Sequence, residues 1–181
     1  MPADRDLRGV SMSSARLILK TFSAGDAAEA FACVTPTLTR FMSFDPAPSI
    51  EAFAEIWQEW QAKMADGTDL PLVIRLTATG EFLGLCGLHC IGIQEPELGI
   101  WIKEASQGRG YGREAIARLI AWAAVELGAA AVIYPVAEEN WRSRRVPESL
   151  GGTIVGSRTL QKPSGVELSL VVYRIPAAGQ A

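Results

Sequence analysis

The stretch Gln107-Gly108-Arg109-Gly110-Tyr111-Gly112 places three glycines at alternate positions. It follows residues 97–103, which have the pattern of a strand, and it opens residues 110–127, where apolar residues recur at helical spacing. Its glycines let the backbone approach a ligand, and the first amides of a helix have no partner within the helix. The stretch therefore predicts an anion cradle that suits a pyrophosphate, with Arg109 and Arg113 adding positive charge.

The spacing of these glycines excludes two common phosphate-binding motifs. The dinucleotide fingerprint has a different glycine pattern and opens a parallel β-α-β unit, and a phosphate loop needs Lys followed by Ser or Thr. A glycine-rich turn at a helix start is equally consistent with a simple capping loop. The flanking sequence has to distinguish these two interpretations.

The apolar pattern on either side of the loop predicts a single α+β domain. Strands are expected at residues 16–22, 70–76, 81–91, 97–103, 131–136, 153–160 and 167–175. Helices are expected at residues 26–34, between an N-cap at Ser49 and a stop at Gly67, and at residues 110–127 and 140–150. This order indicates a mixed sheet.

Composition excludes several classes of protein. The chain has 181 residues, 49% of them hydrophobic, which suits one domain with a sizeable core. Seventeen Lys and Arg against 20 Asp and Glu give a net charge of -3, which argues against a nucleic-acid partner. Residues 1–14 lack the apolar core of a signal peptide, and no apolar run is long enough to span a bilayer. We expect a cytoplasmic protein without a membrane partner.

The three cysteines predict neither disulfides nor a metal site. An odd number of cysteines in a chain of this size argues against a disulfide framework. Cys86, His89 and Cys90 lie in a predicted strand, where side chains alternate faces, so the histidine points away from both cysteines. A tetrahedral metal site needs converging ligands, so we expect no metal.

The glycine loop resembles the Gln/Arg-x-x-Gly-x-Gly/Ala coenzyme A loop of the GNAT acetyltransferase superfamily. Its flanks resemble the RimJ/RimL-like branch, which acetylates the N-termini of ribosomal proteins. The segments that carry this likeness are Arg16-Leu17-Ile18-Leu19, Phe82-Leu83-Gly84-Leu85-Cys86-Gly87-Leu88-His89, Glu97-Leu98-Gly99-Ile100-Trp101-Ile102 and Asn140-x-x-Ser143-x-x-Val146-x-Glu148-x-Leu150-Gly151. They follow one another in the family's order over nearly the whole domain.

The resemblance implies a mixed, mostly antiparallel seven-stranded sheet, splayed between strands 4 and 5 and flanked by about four helices. It divides the chain into a flexible N-terminal segment at residues 1–14, a GNAT domain at residues 15–176 and a tail at residues 177–181. The implied co-substrate is acetyl-CoA, whose pantetheine arm would lie between the splayed strands. The implied partner is an amine acceptor, either a peptide N-terminus or a small molecule. A homodimer is considered, and the oligomeric state stays open.

The resemblance also assigns residues to the coenzyme. They are Gly99, Ile100, Trp101 and Ile102 through the main chain, Gln107, Gly108, Arg109, Gly110, Tyr111, Gly112 and Arg113 around the pyrophosphate, and Asn140 and Ser143 on the last helix. Asn140 could instead cap that helix. A basic cluster could meet the ribose phosphate or could be an exposed helix face, and it consists of Arg142, Arg144 and Arg145.

Acyl transfer to an amine requires a base, a polarised thioester carbonyl and a proton for the departing thiolate. Glu97, at the start of its strand, is the first candidate base, although a solvated edge carboxylate explains it nearly as well. His89, the only histidine, is the competing base or a structural residue. By the resemblance, Ser143 would hydrogen-bond the thiolate.

Three aromatic residues are candidates for the acceptor cleft, with core packing as the alternative for the two tryptophans: Phe41, Trp57 and Trp60. Pro147 interrupts the last helix and predicts that it is kinked or shortened, which puts the position of Ser143 in question. Gly152 stands where the family has a large residue. Pro135, which lacks an amide, fits a strand whose neighbour has splayed away.

These observations predict an N-acyltransferase that moves an acetyl group from acetyl-CoA to a primary amine in a ternary complex, without a covalent enzyme intermediate. A non-catalytic acyl-CoA sensor on the same fold is the alternative from another class. An N-acyltransferase for antibiotics, polyamines or amino acids, and an enzyme that uses another acyl group such as succinyl, also stay open.

Overall fold

The computed structural model describes residues 5–92 and 95–177, and its elements follow the predicted order. The strands are β1 (Ser11–Ser13), β2 (Leu17–Thr21), β3 (Leu70–Leu76), β4 (Phe82–His89), β5 (Glu97–Ile102), β6 (Ala131–Ala137), β7 (Thr153–Gln161) and β8 (Glu167–Pro176). The helices are α1 (Ala27–Cys33), α2 (Pro36–Thr39), α3 (Ile50–Ala65), α4 (Tyr111–Leu127) and α5 (Trp141–Ser149). The predicted α+β fold class is confirmed.

The strands form one mixed sheet in the order β1-β2-β3-β4-β5-β6-β8-β7. Every neighbouring pair is antiparallel except β5 and β6, which are parallel. Within residues 5–92 and 95–177, the sheet has eight strands rather than the predicted seven, and the α-helices number five rather than about four. One-turn α2 was not predicted, although Pro36 stands at its first position and Thr35 caps it by accepting the Leu38 N–H at 3.0 Å.

The eighth strand is β1, in the segment predicted to be flexible. Met12 pairs with Leu19 of β2 and is buried. Leu7 is also buried, and its N–H donates to the Met64 carbonyl at 2.9 Å. Part of the segment expected to be flexible thus pairs with and packs against the sheet, and three strand residues are too few to show a periodicity in the sequence. Residues 1–4, and residues 178–181 of the predicted tail, lie outside the described residues.

β5 and β6 separate almost as soon as they meet, which confirms the predicted splay. Their ladder contains one register pair, Glu97 with Ile133, next to the hydrogen bond from the Ile133 N–H to the Pro96 carbonyl at 3.0 Å. Because backbone groups alternate along a strand, the next residue of β6 that faces β5 is Pro135, which has no N–H to donate. The proline therefore ends the ladder and leaves a gap between the two strands.

The sheet packs a core on each face. One core lies under α4, and residues of β5 that point into it include Leu98, Ile100 and Ile102. The other lies under α1 and α3, where Trp101 of the same strand packs against Phe82, with ring centroids 5.9 Å apart. Residues on alternate positions of β5 thus contact opposite layers of the domain. None of the described helices is long and apolar enough to cross a membrane.

The end of α5 accounts for Pro147 and Gly152, the two residues that depart from the pattern of the family that the sequence resembles. Pro147 is buried inside the last turn, and its carbonyl accepts the Gly152 N–H at 2.8 Å while the Gly151 N–H donates to Glu148. With Gly151 at φ 77°, these two bonds form a Schellman turn, which ends the helix. A Cβ on Gly152 would lie 2.8 Å from the Pro147 oxygen and 3.1 Å from Ile175 Cγ1. There is no room here for the large side chain of the family pattern.

This packing predicts that Gly152→Ala destabilises the domain by about 1–3 kcal/mol, because the added methyl group overlaps a fixed carbonyl oxygen. The measurement is the free energy of unfolding in urea. Gly156→Ala on β7 is the matched control, because a Cβ there meets nothing within 4 Å and should leave stability unchanged within about 0.5 kcal/mol. Equal effects from the two variants would contradict the overlap.

Candidate active site

A cleft opens where β5 and β6 separate, and it has a cavity volume of about 130 Å³. This volume is below the roughly 300 Å³ of pockets that enclose a whole cofactor, so it suits the reacting end of a longer ligand. Its wall is formed by residues from the loop after α2, from the five strands β4 to β8, and from the start of α5: Phe41, Met42, Ser43, His89, Glu97, Leu98, Gly99, Ile100, Tyr134, Pro135, Val136, Ala137, Asn140, Ser143, Arg158, Leu160, Leu168 and Leu170.

The main chain of β5 offers hydrogen-bonding groups to this cleft. The Lys103 N–H donates to Leu83 of β4, so by alternation the backbone groups of Ile100 and Ile102 face the gap. The Gln107 side chain donates to the Ile102 carbonyl at 2.9 Å, which leaves Ile100 as the open position. Of the four residues predicted to bind through their main chain, Gly99 and Trp101 instead direct these groups toward β4.

The glycine loop has the geometry of an anion cradle. Gly108 and Gly110 adopt φ values of 76° and 80°, and α4 begins at Tyr111. Within the described residues, no backbone amide of residues 108–113 has a hydrogen-bond acceptor. Consecutive free amides at the positive end of a 17-residue helix attract an anion.

A clamp that was not predicted from the sequence holds this loop. Arg16 donates through Nε and its backbone N–H to the Glu114 carboxylate at 2.7 and 2.8 Å, and through its guanidinium to the Arg109 carbonyl at 3.1 Å. Ser14 Oγ donates to the same carboxylate at 2.7 Å. The guanidinium also lies 4.7 Å from the Tyr111 ring centroid. These partners are nearly 100 residues apart, so local sequence gave no sign of them.

This arrangement lowers the pKa of the Glu114 carboxyl. Burial acts to raise its pKa, but hydrogen bonds from Ser14 and Arg16, together with the Arg16 charge, hold the pKa below its ordinary value of 4.5.

Arg113, predicted to add charge to the cradle, donates to Ser149 Oγ at 2.9 Å and joins α4 to the end of α5. Arg109 lies in the loop itself.

Asn140 and Ser143 lie together at the start of α5. Asn140 Oδ1 accepts the Ser143 N–H at 3.2 Å, so this side chain caps the helix and only its amide nitrogen is left for a ligand. Ser143 Oγ is 2.7 Å from the Tyr134 hydroxyl. Burial raises the pKa of Tyr134 to about 12, so its phenol stays protonated near neutral pH. Pro147 does not remove Ser143 from the cleft.

The two candidate bases are neighbours on the other side of the cleft. Glu97 and His89 are register partners in the β4–β5 ladder. The Glu97 carboxylate accepts a hydrogen bond from Arg158 at 2.6 Å, and His89 Nδ1 is 3.1 Å from Asp69 Oδ2. Neither Arg158 nor Asp69 was predicted as a site residue, because both contacts depend on the pairing of distant segments.

The three aromatic residues predicted for the acceptor cleft lie in two different places. Phe41 lines the cleft, whereas Trp57 and Trp60 pack against Phe22 with ring centroids 6.3 and 5.2 Å apart. The inner face of α3 turns toward the second core, so these two residues follow the core-packing alternative. Their helical spacing was the signal of core packing.

The loop that carries Phe41 is tied to the last hairpin. Lys162 is 7% exposed, and its Nζ donates to the Thr39 carbonyl at 2.9 Å and pairs with Asp45 at 2.8 Å. The Ser164 N–H donates to the same carboxylate at 2.9 Å. A buried lysine needs such partners, so these bonds fix one wall of the cleft against another.

The three arginines of the basic cluster on α5 differ in their surroundings. Arg144 donates to the Tyr173 hydroxyl at 3.1 Å and stacks over Trp141, 4.2 Å from its ring centroid. Arg142 and Arg145 are exposed. Of the three arginines in the cluster, these two have exposed side chains without a hydrogen-bond partner among the described residues.

The cysteines do not converge on a metal. Cys86 is buried and Cys90 is exposed, with the backbone of Cys90 at φ 55°. Across residues 5–92 and 95–177, no group of three or more potential ligands could hold a metal ion.

Comparison with known proteins gives a match to one family model and to solved structures of the same fold. Residues 16–153 match the family model of the acetyltransferase (GNAT) domain. RimJ of Mycobacterium smegmatis in complex with CoA-disulfide has a TM-score of 0.80 at 19% identity, over 98% of this chain and 90% of that one. Spermidine N-acetyltransferase of Vibrio cholerae in complex with CoA and spermine has a TM-score of 0.78 at 19% identity, over 91% and 98%.

A third structure extends the likeness to ribosomal-protein enzymes. Ribosomal-protein-S5-alanine acetyltransferase of Vibrio fischeri has a TM-score of 0.74 at 15% identity, over 95% of this chain and 99% of that one. Identities this low show a shared fold. A comparison with curated protein sequences finds no match.

The clamp predicts a pH-dependent stability. Glu114→Gln should destabilise the fold at neutral pH, because an acid with a lowered folded pKa stabilises above its ordinary value of 4.5 and loses this effect as pH falls through the folded pKa. The difference in urea midpoint between wild type and variant should stay constant from neutral pH to about pH 5 and shrink below it. A difference that persists unchanged to about pH 3 would contradict the clamp.

Proposed function

The chain belongs to the GNAT acetyltransferase family and is an N-acetyltransferase, and we propose that it transfers acetyl from acetyl-CoA directly to a primary amine in a ternary complex. The observation that carries this proposal is the row of free amides at residues 108–113 beside the gap between β5 and β6. The amides suit a pyrophosphate, and the gap suits a thin apolar arm that ends in a thioester.

In this proposal the coenzyme takes a defined path. Its pyrophosphate binds the amides of residues 108–113, and its pantetheine arm lies along β5, where the Ile100 backbone faces the gap. The acetyl group then reaches the cavity next to Ser143. Solved structures of this fold contain CoA-disulfide in RimJ and CoA in spermidine N-acetyltransferase, which supports the same co-substrate here.

The proposed reaction needs no covalent enzyme intermediate. The amine nitrogen attacks the thioester carbonyl carbon, the C–S bond breaks, and the amine loses one proton. The Ile100 N–H is the proposed donor to the carbonyl oxygen. Ser143 gives its proton to the departing thiolate and takes one back from solvent, while the Tyr134 hydroxyl, 2.7 Å away, holds the Ser143 hydroxyl in place. The amine proton goes to a base on the side of Glu97 and His89.

We propose a protein N-terminal α-amine as the first acceptor to test. The likeness to a ribosomal-protein-alanine acetyltransferase supports a peptide acceptor, and the likeness to spermidine N-acetyltransferase supports a polyamine. The fold alone does not distinguish them. The cytoplasmic location and the homodimer considered from the sequence stay predictions.

The deciding experiment is thiol release from acetyl-CoA by the full chain, with mass spectrometry of the acceptors. The panel contains Ala- and Ser-initiated peptides, the same peptides with a blocked N-terminus, spermine, amino acids and aminoglycosides. One acetyl group on the free peptides, and none on the blocked ones, is the expected result. Turnover of small amines alone would overturn the peptide acceptor. Binding of acetyl-CoA without thiol release from any acceptor would favour the non-catalytic sensor.

Coenzyme binding at the loop has its own prediction. Acetyl-CoA should raise the melting temperature of the wild type in step with the logarithm of its concentration, and Gly110→Glu should abolish this rise, because a carboxylate would fill the cradle. Gly128→Glu is the matched control: Gly128 has φ 66° at the other end of α4, so strain and charge are similar but the cradle stays open. A rise that survives in Gly110→Glu would overturn the loop assignment.

A further inference from the structure

Asp69 and His89 form a pair beside the cleft. Asp69, just before β3, is largely buried, and its Oδ1 accepts the Cys90 N–H at 3.2 Å. Its Oδ2 is 3.1 Å from His89 Nδ1. Burial acts to raise the pKa of Asp69, but the hydrogen bonds from His89 and Cys90 and the charges of His89 and Lys63 hold it below its ordinary value. The carboxyl is therefore ionised near neutral pH.

An ionised carboxylate fixes the tautomer of its imidazole partner. A carboxylate can only accept a hydrogen bond, so Nδ1 of His89 has to carry the proton that joins it to Asp69. In the neutral ring, Nε2 is then the atom with the free lone pair. The Cys90 N–H fixes the other carboxylate oxygen, so the pair has one preferred arrangement.

The free nitrogen of His89 lies against the strand that borders the cleft. A Cβ built on Gly99 would be 3.4 Å from His89 Nε2, so the absence of a side chain at Gly99 makes room for the ring. Both residues line the cavity. Nε2 is thus one position along β5 from the Ile100 backbone proposed to face the thioester.

Glu97, the other candidate base, is differently placed. Its carboxylate is bound by Arg158 at 2.6 Å, and taking up a proton would weaken that ion pair. His89 has no such competing partner on Nε2 among the described residues. The arrangement favours His89 for proton uptake and leaves Glu97 as a fixed negative charge near an incoming ammonium group.

We propose that Asp69 is a positioning residue that holds His89 in its Nδ1–H tautomer, so that Nε2 takes the proton from the attacking amine. The inference rests on the proposed function for the identity of the reaction. In the step itself, an N–H bond of the amine breaks and an Nε2–H bond forms. The resulting imidazolium keeps its Nδ1–H bond to Asp69 and later releases the Nε2 proton to solvent.

The charges around the imidazole come from four elements. They are Asp69 before β3, Lys63 of α3 at 3.9 Å from Asp69, Glu97 of β5 as the register partner of His89, and Arg158 of β7 paired with Glu97. Each of these groups can change the pH dependence of the rate, so the pH profile of kcat is compared between the wild type and variants of these groups. Lys63 also pairs with Glu59 at 3.0 Å, which supplies a control carboxylate outside the cleft.

The tautomer can be observed without any enzymatic turnover. His89 is the only histidine, so in the untagged, 15N-histidine-labelled full chain a long-range 1H–15N correlation spectrum contains a single imidazole. Above the pH at which this ring is protonated, the expected spectrum has a protonated Nδ1 and an unprotonated Nε2. Asp69→Asn should lose this preference, and Glu59→Gln should keep it. A protonated Nε2 in the wild type, or an unchanged spectrum in Asp69→Asn, would overturn the proposal.

Kinetics test the role of the tautomer. With whichever peptide or spermine acceptor the wild type acetylates, His89→Gln should lower kcat by about a hundredfold or more, and Asp69→Asn by at least about tenfold. KM for acetyl-CoA and the ligand-induced rise in melting temperature should stay unchanged in both, as should all parameters in Glu59→Gln. Asp69→Glu should recover part of the lost rate.

A double variant separates positioning from general damage. Adding Asp69→Asn to His89→Gln should cause little further loss if Asp69 acts through His89, whereas independent roles would multiply the two effects. Multiplied effects, or a larger loss in Glu97→Gln than in His89→Gln, would overturn the assignment of the base. Inactivity of the wild type toward every acceptor would instead refute the proposed function, and the spectrum would still decide the tautomer.

Discussion

The ladder between β5 and β6 stops after one register pair, and the site depends on this interruption. A parallel pair would normally continue to exchange hydrogen bonds, but the next backbone position of β6 that faces β5 is occupied by Pro135. The missing amide removes the donor that would next reach the Leu98 carbonyl. No register pair follows Glu97 with Ile133, so the Ile100 backbone faces the gap without a partner strand. Without this break, the sheet would be continuous and the cleft, with its main-chain donors, would be closed.

The same gap brings two kinds of chemistry together. At one end, left-handed glycines and the start of α4 present free amides, which Arg16 and Glu114 hold in place. At the other end, the hydroxyl pair of Ser143 and Tyr134 faces the side occupied by His89 and Glu97. The anion site lies at the start of α4, and His89 and Glu97 lie on the face of β5 opposite Leu98 and Ile100. The strand therefore separates the proposed pyrophosphate site from the candidate bases.

Much of this could be predicted from the sequence, because the signals are local. The glycine loop, the amphipathic α4 and the chain order of strands and helices follow from spacing and turn residues. β1 and α2 are too short for a periodicity. α3 shows an apolar stripe without showing which core receives it, so the sequence left both the cleft and the core open for Trp57 and Trp60. Asp69 and Arg158 act only through strand pairing, and no local pattern marks them.

β6 is held on one side by seven register pairs with β8 and on the other by a single pair with β5. The strand that forms half of the cleft is therefore secured by the last strand of the described chain, and Lys162 in the same hairpin fixes the loop of Phe41. During synthesis the first five strands and α4 leave the ribosome before β8 exists. The cleft between β5 and β6 is consequently completed late in folding, because it depends on contacts of long sequence separation.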